Sequence, residues 1–480
     1  MTRINKIYPN PYFNILLFAV IETVNIVFMD SPLNLIVTIP EILYVIFLMC
    51  AGKIEIALMY HLIFVALSFE SFTALTDSLL FSYGKLKLVG PFGVSYIVTF
   101  LLFLLSFDKS SKEKTILLHK VYDSIKLLAL LGVILGFVGF ALRDYSFRYF
   151  LPPFVYVTVG LITVKTVLNR FTLDFAKQCY YYVLYLMIAS SIVSFLTFQI
   201  FHVSTLYSVS DVFYYNEMYI YIPCLIIAFF QHDEIVLKNF IILALSLFFI
   251  NIIAAGRGGM IMSVFIVIIL LVYIIYFKKS TLRNQKVLKI IFPVLAIGFV
   301  MVGVTLLLSG SQLTSYKLGE ISSMMALFDF DKPLLLRIQG IAHSPYIRVA
   351  ETLNLLSEWK NNVIDFIIGK GFGGYFQDNL GLFQIVDLSN GAFSDDQIKS
   401  GKFYSAHSVY PNAILYNGIW GLLILIKLGF SYLRNIDKSY LCFCGFVLFL
   451  QYFYYDPIML IDSIFIMMAA ESKLQQNKVL

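Results

Sequence analysis

Long apolar runs separated by short polar connections constrain this chain more than any other feature. From about Phe13 onward, stretches of roughly 17–22 residues with few charges recur almost to the C-terminus. Each is long enough to cross the hydrocarbon core as a helix. A 19-residue window places about fourteen of them, with twelve as the lower bound. They lie near 11–29, 33–50, 55–75, 92–107, 126–142, 151–168, 178–198, 213–230, 236–254, 258–277, 288–309, 409–429, 438–455 and 457–470. The last is short, and Asp456-Pro457 can instead break a re-entrant hairpin there.

Composition excludes the obvious alternative. A chain of 480 residues could hold three soluble domains, but 60% of this one is hydrophobic, 17% aromatic and only 13% charged. Soluble domains carry roughly 25% charged residues. A mean hydropathy of +0.84 exceeds what a buried core can absorb. The expected fold is therefore an all-α polytopic membrane protein. Residues 1–309 form spans one to eleven, 310–408 a large partly helical loop, and 409–480 the last spans with the C-terminus.

The formal charge of +6 is no sign of nucleic-acid binding, because most basic residues sit singly in short connections. Counting Lys and Arg by side orients the chain. With a cytoplasmic N-terminus, about 22 fall inside, about 5 in short outer connections (Lys85, Lys87, Arg143, Arg148, Arg257), and 8 in 310–408. A loop that long is exempt from the rule. Both termini are expected in the cytoplasm, with the long loop outside.

The five cysteines, Cys50, Cys179, Cys224, Cys442 and Cys444, all lie in apolar stretches and form no disulfide framework or zinc set. No cleavable signal peptide is evident. The six histidines are scattered and no carboxylate pair has ligand spacing, so no metal or other cofactor is expected. Acidic residues inside apolar runs (Glu22, Glu41, Glu55, Glu70, Asp462) can mark an ion route, but most lie towards span ends and no relay emerges.

The loop of about 99 residues carries the chemistry. Asp331 and Pro333 read as one helix start, and Pro345 opens a second helix. In the second, Tyr346, Val349, Leu353, Leu356, Trp359 and Val363 recur at helical spacing. That stripe suits a helix on the membrane surface or a lid over the spans. Arg348, Glu351 and Glu358 occupy the other face. From Gly381 to Lys402 the segment is polar and turn-rich. No internal repeat, including an inverted pair of broken helices, is present.

Three basic positions stand out. Arg257, in Gly256-Arg257-Gly258-Gly259, lies at the expected outer end of a span, where helix N–H groups and a guanidinium can hold an anion together. The alternative is an arginine reaching to the interface. His407 immediately precedes another outward span. A helix start disfavours the imidazolium, leaving an imidazole able to accept a proton; the alternative is an interfacial histidine bonded to water. Arg348 can pair with an anion, or simply with Glu351 three residues on. Arg337 is similar. The G-x-G-x-x-G string at Gly369–Gly374 lacks the strand, helix and cytoplasmic setting of a dinucleotide site, and reads as a turn delivering Tyr375 and Phe376 to the membrane surface.

Four features in order resemble a known family. They are Gly256-Arg257-Gly258 between late spans, Arg348 on a loop helix, the turn Ile368-Gly369-Lys370-Gly371-Phe372-Gly373, and Ala406-His407 leading into Tyr416-Asn417-Gly418-Ile419-Trp420-Gly421. Over about 254–425 the chain resembles the O-antigen polymerase and ligase superfamily, the Wzy-type polymerases and their relatives. The family often has Asn directly after the His, where this chain has Ser408 with Asn412 four on. It often has an acid where this chain has Asn417. Both departures fall on the histidine side of the site.

The resemblance implies a membrane-embedded glycosyltransferase of GT-C-like architecture in the bacterial cytoplasmic (inner) membrane. Its substrate would be an undecaprenyl-pyrophosphate-linked oligosaccharide, polymerised at the outer face into O-antigen, capsular or exopolysaccharide. Arg257 and Arg348 would stabilise the departing pyrophosphate without a metal, and His407 would take the acceptor proton or contact phosphate. Arg337, Tyr410 and Asn412 join Arg257 and Arg348 as candidates for holding pyrophosphate or glycan. Membrane lipid and a chain-length regulator protein are the further partners implied. Two alternatives stand: a ligase moving finished polymer onto lipid A-core, and a lipid-linked oligosaccharide flippase. The large outer loop and the outward basic residues argue against the flippase.

Overall fold

The computed structural model describes residues 11–28, 31–68, 80–89, 92–107, 113–196, 322–384, 393–435, 439–454 and 456–479. Spans eight to eleven, with Arg257, lie outside the described residues. What is described is mostly helical, with a single two-stranded ribbon, Lys87–Val89 with Phe92–Gly93. Among the described residues, four helices are long and apolar enough to cross a membrane: Pro32–Cys50, Leu118–Leu142, Phe147–Arg170 and Val409–Leu433. The chain divides into two compact units.

The first unit takes in 1–52, 59–87 and 177–315. Its described helices are α1 (Pro11–Val27), α2 (Leu35–Cys50), most of α3 (Ile54–Ala66) and most of α7 (Leu173–Leu196). Polar side chains tie them from within. Ser190 donates to Glu22 at 2.7 Å, and Asn25 donates to the Leu67 carbonyl at 2.9 Å.

The second unit takes in 53–58, 88–176 and 316–480. It contains α4 (Val94–Leu105), α5 (Leu118–Leu142), α6 (Phe147–Arg170), α8 (Leu334–Gln339), α9 (His343–Asn361), α10 (Val363–Ile368), α11 (Asp395–Ser400), α12 (Val409–Leu433), α13 (Tyr440–Tyr452) and α14 (Pro457–Val479). The helices α5, α6, α12, α13 and α14 pack on one another. Asp456 and Pro457 open a helix rather than break one. Asp456 accepts from Ile458 N at 2.7 Å, Pro457 occupies the first helical position, and α14 runs for 23 residues. Near its far end the buried carboxylate of Glu471 accepts the N–H groups of Ile116, Leu117 and Leu118 at 2.8, 2.6 and 3.0 Å. Those groups open α5 and have no partner within their own helix.

The glycine turn is set deeper than its sequence suggests. Lys370 N and Gly371 N donate to the carbonyls of Leu415 and Tyr416, and Phe372 N to that of Gly132, at 2.7, 2.9 and 2.8 Å. The turn therefore lodges between α5 and α12. Phe372 and Phe376 are buried and Tyr375 half-buried, so the turn does not deliver Phe376 to a membrane surface. The physical reason is a broken helix. Gly418 adopts φ 63°, ψ −159° inside α12, which frees carbonyls that the turn's N–H groups then take up. A side chain at 418 would be strained and would stand 2.6 Å from Gly369 N.

Candidate functional site

The loop helix α9 begins at His343, with Pro345 in its first turn, and α8 follows Pro333, both as the punctuation implies. Its buried side differs from the apolar stripe. Tyr346 and Trp359 face inward, but Leu356 and Val363 are exposed, while Glu351 and Asn354 are fully buried. Burying a carboxylate and an amide is costly unless each is hydrogen-bonded, and here the following loop supplies the partners. Asn354 donates to Asp378 at 2.9 Å and accepts from Leu380 N at 3.1 Å. Asp378 accepts from Leu382 N and Phe383 N at 2.8 and 2.9 Å. Glu358 accepts from Gln377 N at 2.7 Å and pairs with Lys370. So α9 is a polar spine on which 370–384 is strung.

The same spine holds His407. Oε2 of Glu351 accepts the His407 backbone N–H at 2.9 Å, and its Oε1 bonds Nδ1 of the imidazole. Glu351 thus belongs to His407 rather than to Arg348. The His407 side chain remains 26% exposed beside a carboxylate with no exposure at all. With Nδ1 committed, Nε2 is the ring nitrogen left to face a substrate. The ring edge packs on Phe393, centroids 5.0 Å apart. Ser408 is the N-cap of α12, so His407 sits just outside a helix start, as expected.

Asn412 is turned inward. Its amide accepts from Ala406 N at 2.7 Å and donates to Ala406 O at 2.8 Å, with 1% exposure. Both ends of the amide are therefore spent on the turn that carries His407. Tyr410, three residues beyond His407 in the first turn of α12, is 53% exposed. Arg348 is exposed and has no ion pair among the described residues; helix spacing sets it one turn before Glu351. Arg337 is occupied by its own neighbourhood, donating to Leu327 O at 3.1 Å and lying 5.1 Å over the Phe330 ring.

A group of aromatic and basic residues adjoins this turn. Tyr149 and Tyr404 stack at 3.6 Å, and Tyr375 meets Tyr404 edge-on at 5.6 Å. Lys402 stands 4.7 Å over Tyr375, and Arg148 bonds Asp396 at 2.9 Å. Burial, followed by the neighbouring Tyr149 and Tyr375, raises the Tyr404 phenol above its ordinary pKa, so it stays neutral. Arg143 bonds Asp365 at 2.7 Å and ties α5 to α10. The hydrogen bond to Asp365 is the largest influence raising the arginine's pKa.

Comparison with known proteins adds no relative. No family model, curated protein or solved structure matches the chain. The assignment of function therefore rests on the site itself.

Sequence reasoning named His407 but missed the partner that holds it. Glu351 lies 56 residues from His407, and no local spacing signals their meeting. Among the described residues no three His, Cys, Asp or Glu side chains come together.

Proposed function

We propose that this chain is a membrane-embedded glycosyltransferase that polymerises lipid-pyrophosphate-linked oligosaccharides, with about fourteen spans in a GT-C-like arrangement. The observation that carries the reading is the buried Glu351 carboxylate holding Nδ1 of a partly exposed histidine. A carboxylate in that position orients the imidazole and stabilises the charge it gains with a proton. Nε2 then accepts the proton of an acceptor hydroxyl as its oxygen attacks the anomeric carbon of the donor. The bond from that carbon to the pyrophosphate oxygen breaks, and the polyprenyl pyrophosphate leaves with the electron pair.

Arg348, exposed and without an ion pair among the described residues, is available to the charge that develops on the leaving group, and Arg257 is its proposed companion. Such donors act by being in place before the charge forms. Tyr410 projects from the same helix start and is proposed to meet glycan.

The test is reconstitution. Full-length protein supplied only with polyprenyl-pyrophosphate-linked repeats should yield a ladder of oligomers, and His407→Ala should abolish it at unchanged protein level. Absence of any transfer from the lipid-pyrophosphate donor by the wild-type chain would sink the reading. Transfer of finished polymer to a chemically different acceptor, without a ladder, would make it a ligase.

A further inference from the structure

The first unit buries a second polar group that the glycosyl-transfer reading does not use. Along the inward side of α2 and the short turn Pro32–Asn34 that leads into it stand Asn34, Thr38 and Glu41, at 0%, 0% and 3% exposure. Their spacing of four and three residues puts them on one side of the helix. Thr38 is satisfied, donating to Phe81 O at 2.7 Å. Asn34 and Glu41 are not: both amide atoms and both carboxylate oxygens are buried with no hydrogen-bond partner. The neighbouring wall is polar too. The Glu41 carboxyl lies within electrostatic reach of Tyr83, whose hydroxyl bonds Nδ1 of buried His61 at 2.8 Å.

Four orphaned polar atoms on one buried face are costly, since each unpaired group forfeits its hydration. A proton on Glu41 removes the charge but leaves an O–H donor, a carbonyl oxygen and the whole Asn34 amide unpaired. A small cation carrying some of its water satisfies all four. The ion takes the carboxylate oxygens, and its water accepts from and donates to the amide. Seven residues are roughly 10 Å of helix rise, shortened by both side chains. Both side chains leave the same side of the helix, which lets one ion with attached water address them together. One carboxylate matches one positive charge, whereas a divalent ion of the calcium kind takes six to eight oxygens, usually with several carboxylates.

We propose that Asn34 and Glu41 form a binding site for a partly hydrated monovalent cation of the sodium class, separate from the His407 site. The site is independent of the transfer reaction, so its failure leaves that reading untouched, and the reverse holds.

Dicyclohexylcarbodiimide, which enters apolar regions and reacts with carboxyls in their protonated form, is the probe. Full-length protein in membrane vesicles would be labelled in choline chloride and in sodium chloride, and the Glu41 peptide followed by mass spectrometry. Sodium at about ten times its Kd should slow labelling about tenfold, because occupied sites cannot react. Asn34→Leu should leave the labelling and weaken the protection. Glu41→Gln should abolish the label and also the rise in Tm that sodium produces in the wild type. Labelling at equal rates in both salts overturns the proposal. So does a Glu41 that is unlabelled in both salts with a Tm indifferent to sodium.

Discussion

The ring of Phe372 lies directly against Gly132, and Phe372 N donates to the carbonyl of that same glycine at 2.8 Å. A Cβ at position 132 would stand 2.6 Å from the ring. The bare backbone of Gly132 therefore admits the glycine turn beside α5, much as small residues let helices approach in membranes. Gly132→Val should lower stability by about 1–3 kcal/mol through overpacking. Phe372→Ala should cost about 3–5 kcal/mol through the cavity it leaves. Thermal unfolding in detergent measures both. Unchanged Tm in Gly132→Val would mean that the turn does not pack there.

Glu351→Gln separates orientation from mere packing. The amide oxygen can still accept the His407 backbone N–H, but its neutral group no longer stabilises a protonated ring. Turnover should fall roughly 10²-fold, the lower end for a general acid–base group, while binding of the lipid donor persists. Single-turnover chemistry alongside a donor-binding assay distinguishes these. A loss confined to donor binding would make His407 a phosphate contact.

For Arg348, lysine should replace arginine poorly, because a point charge lacks the planar fork that grips phosphate. Arg348→Ala should lower turnover about 10²–10³-fold, as removal of an oxyanion donor does elsewhere. Arg257→Ala should behave alike. Arg337→Ala should instead act mainly on stability, since that guanidinium bonds Leu327 O and covers Phe330. Oligomer ladders at matched protein levels read all three.

Glu471→Leu should destabilise the second unit by about 3 kcal/mol, since three helix-start N–H groups lose a charged acceptor. Transfer activity of the surviving folded fraction should be near that of the wild type, because Glu471 sits at α5's opening end, and the glycine turn meets α5 further along at Gly132. A circular-dichroism melt with activity at low temperature separates the two effects.

Topology is open to direct test. A periplasmic reporter fused after Gly401 should be active, and one fused after Asn435 inactive. The reverse pattern would put His407 on the cytoplasmic side and remove the proposed lipid-linked substrates from its reach.

Much of the helical architecture was legible from the chain alone. Apolar runs in lipid must satisfy their own backbone groups, which a helix does locally, so α5, α6 and α12 appear close to where hydropathy puts them. The helix starts after Pro333 and at Val409 were equally legible, because a proline fixes its own backbone angle and an apolar run marks where a span begins. The tertiary structure alone decided the site. Glu351 reaches His407 across 56 residues, Asn412 turns inward to Ala406, and the Gly369–Gly374 turn enters between α5 and α12. Each depends on which distant backbone groups are left unpaired once the helices are packed. Gly418 frees carbonyls in α12, and the loop beyond α9 offers N–H groups to Asn354 and Glu358. Helical periodicity records how apolar a face is, but not which buried carboxylate will find a partner there.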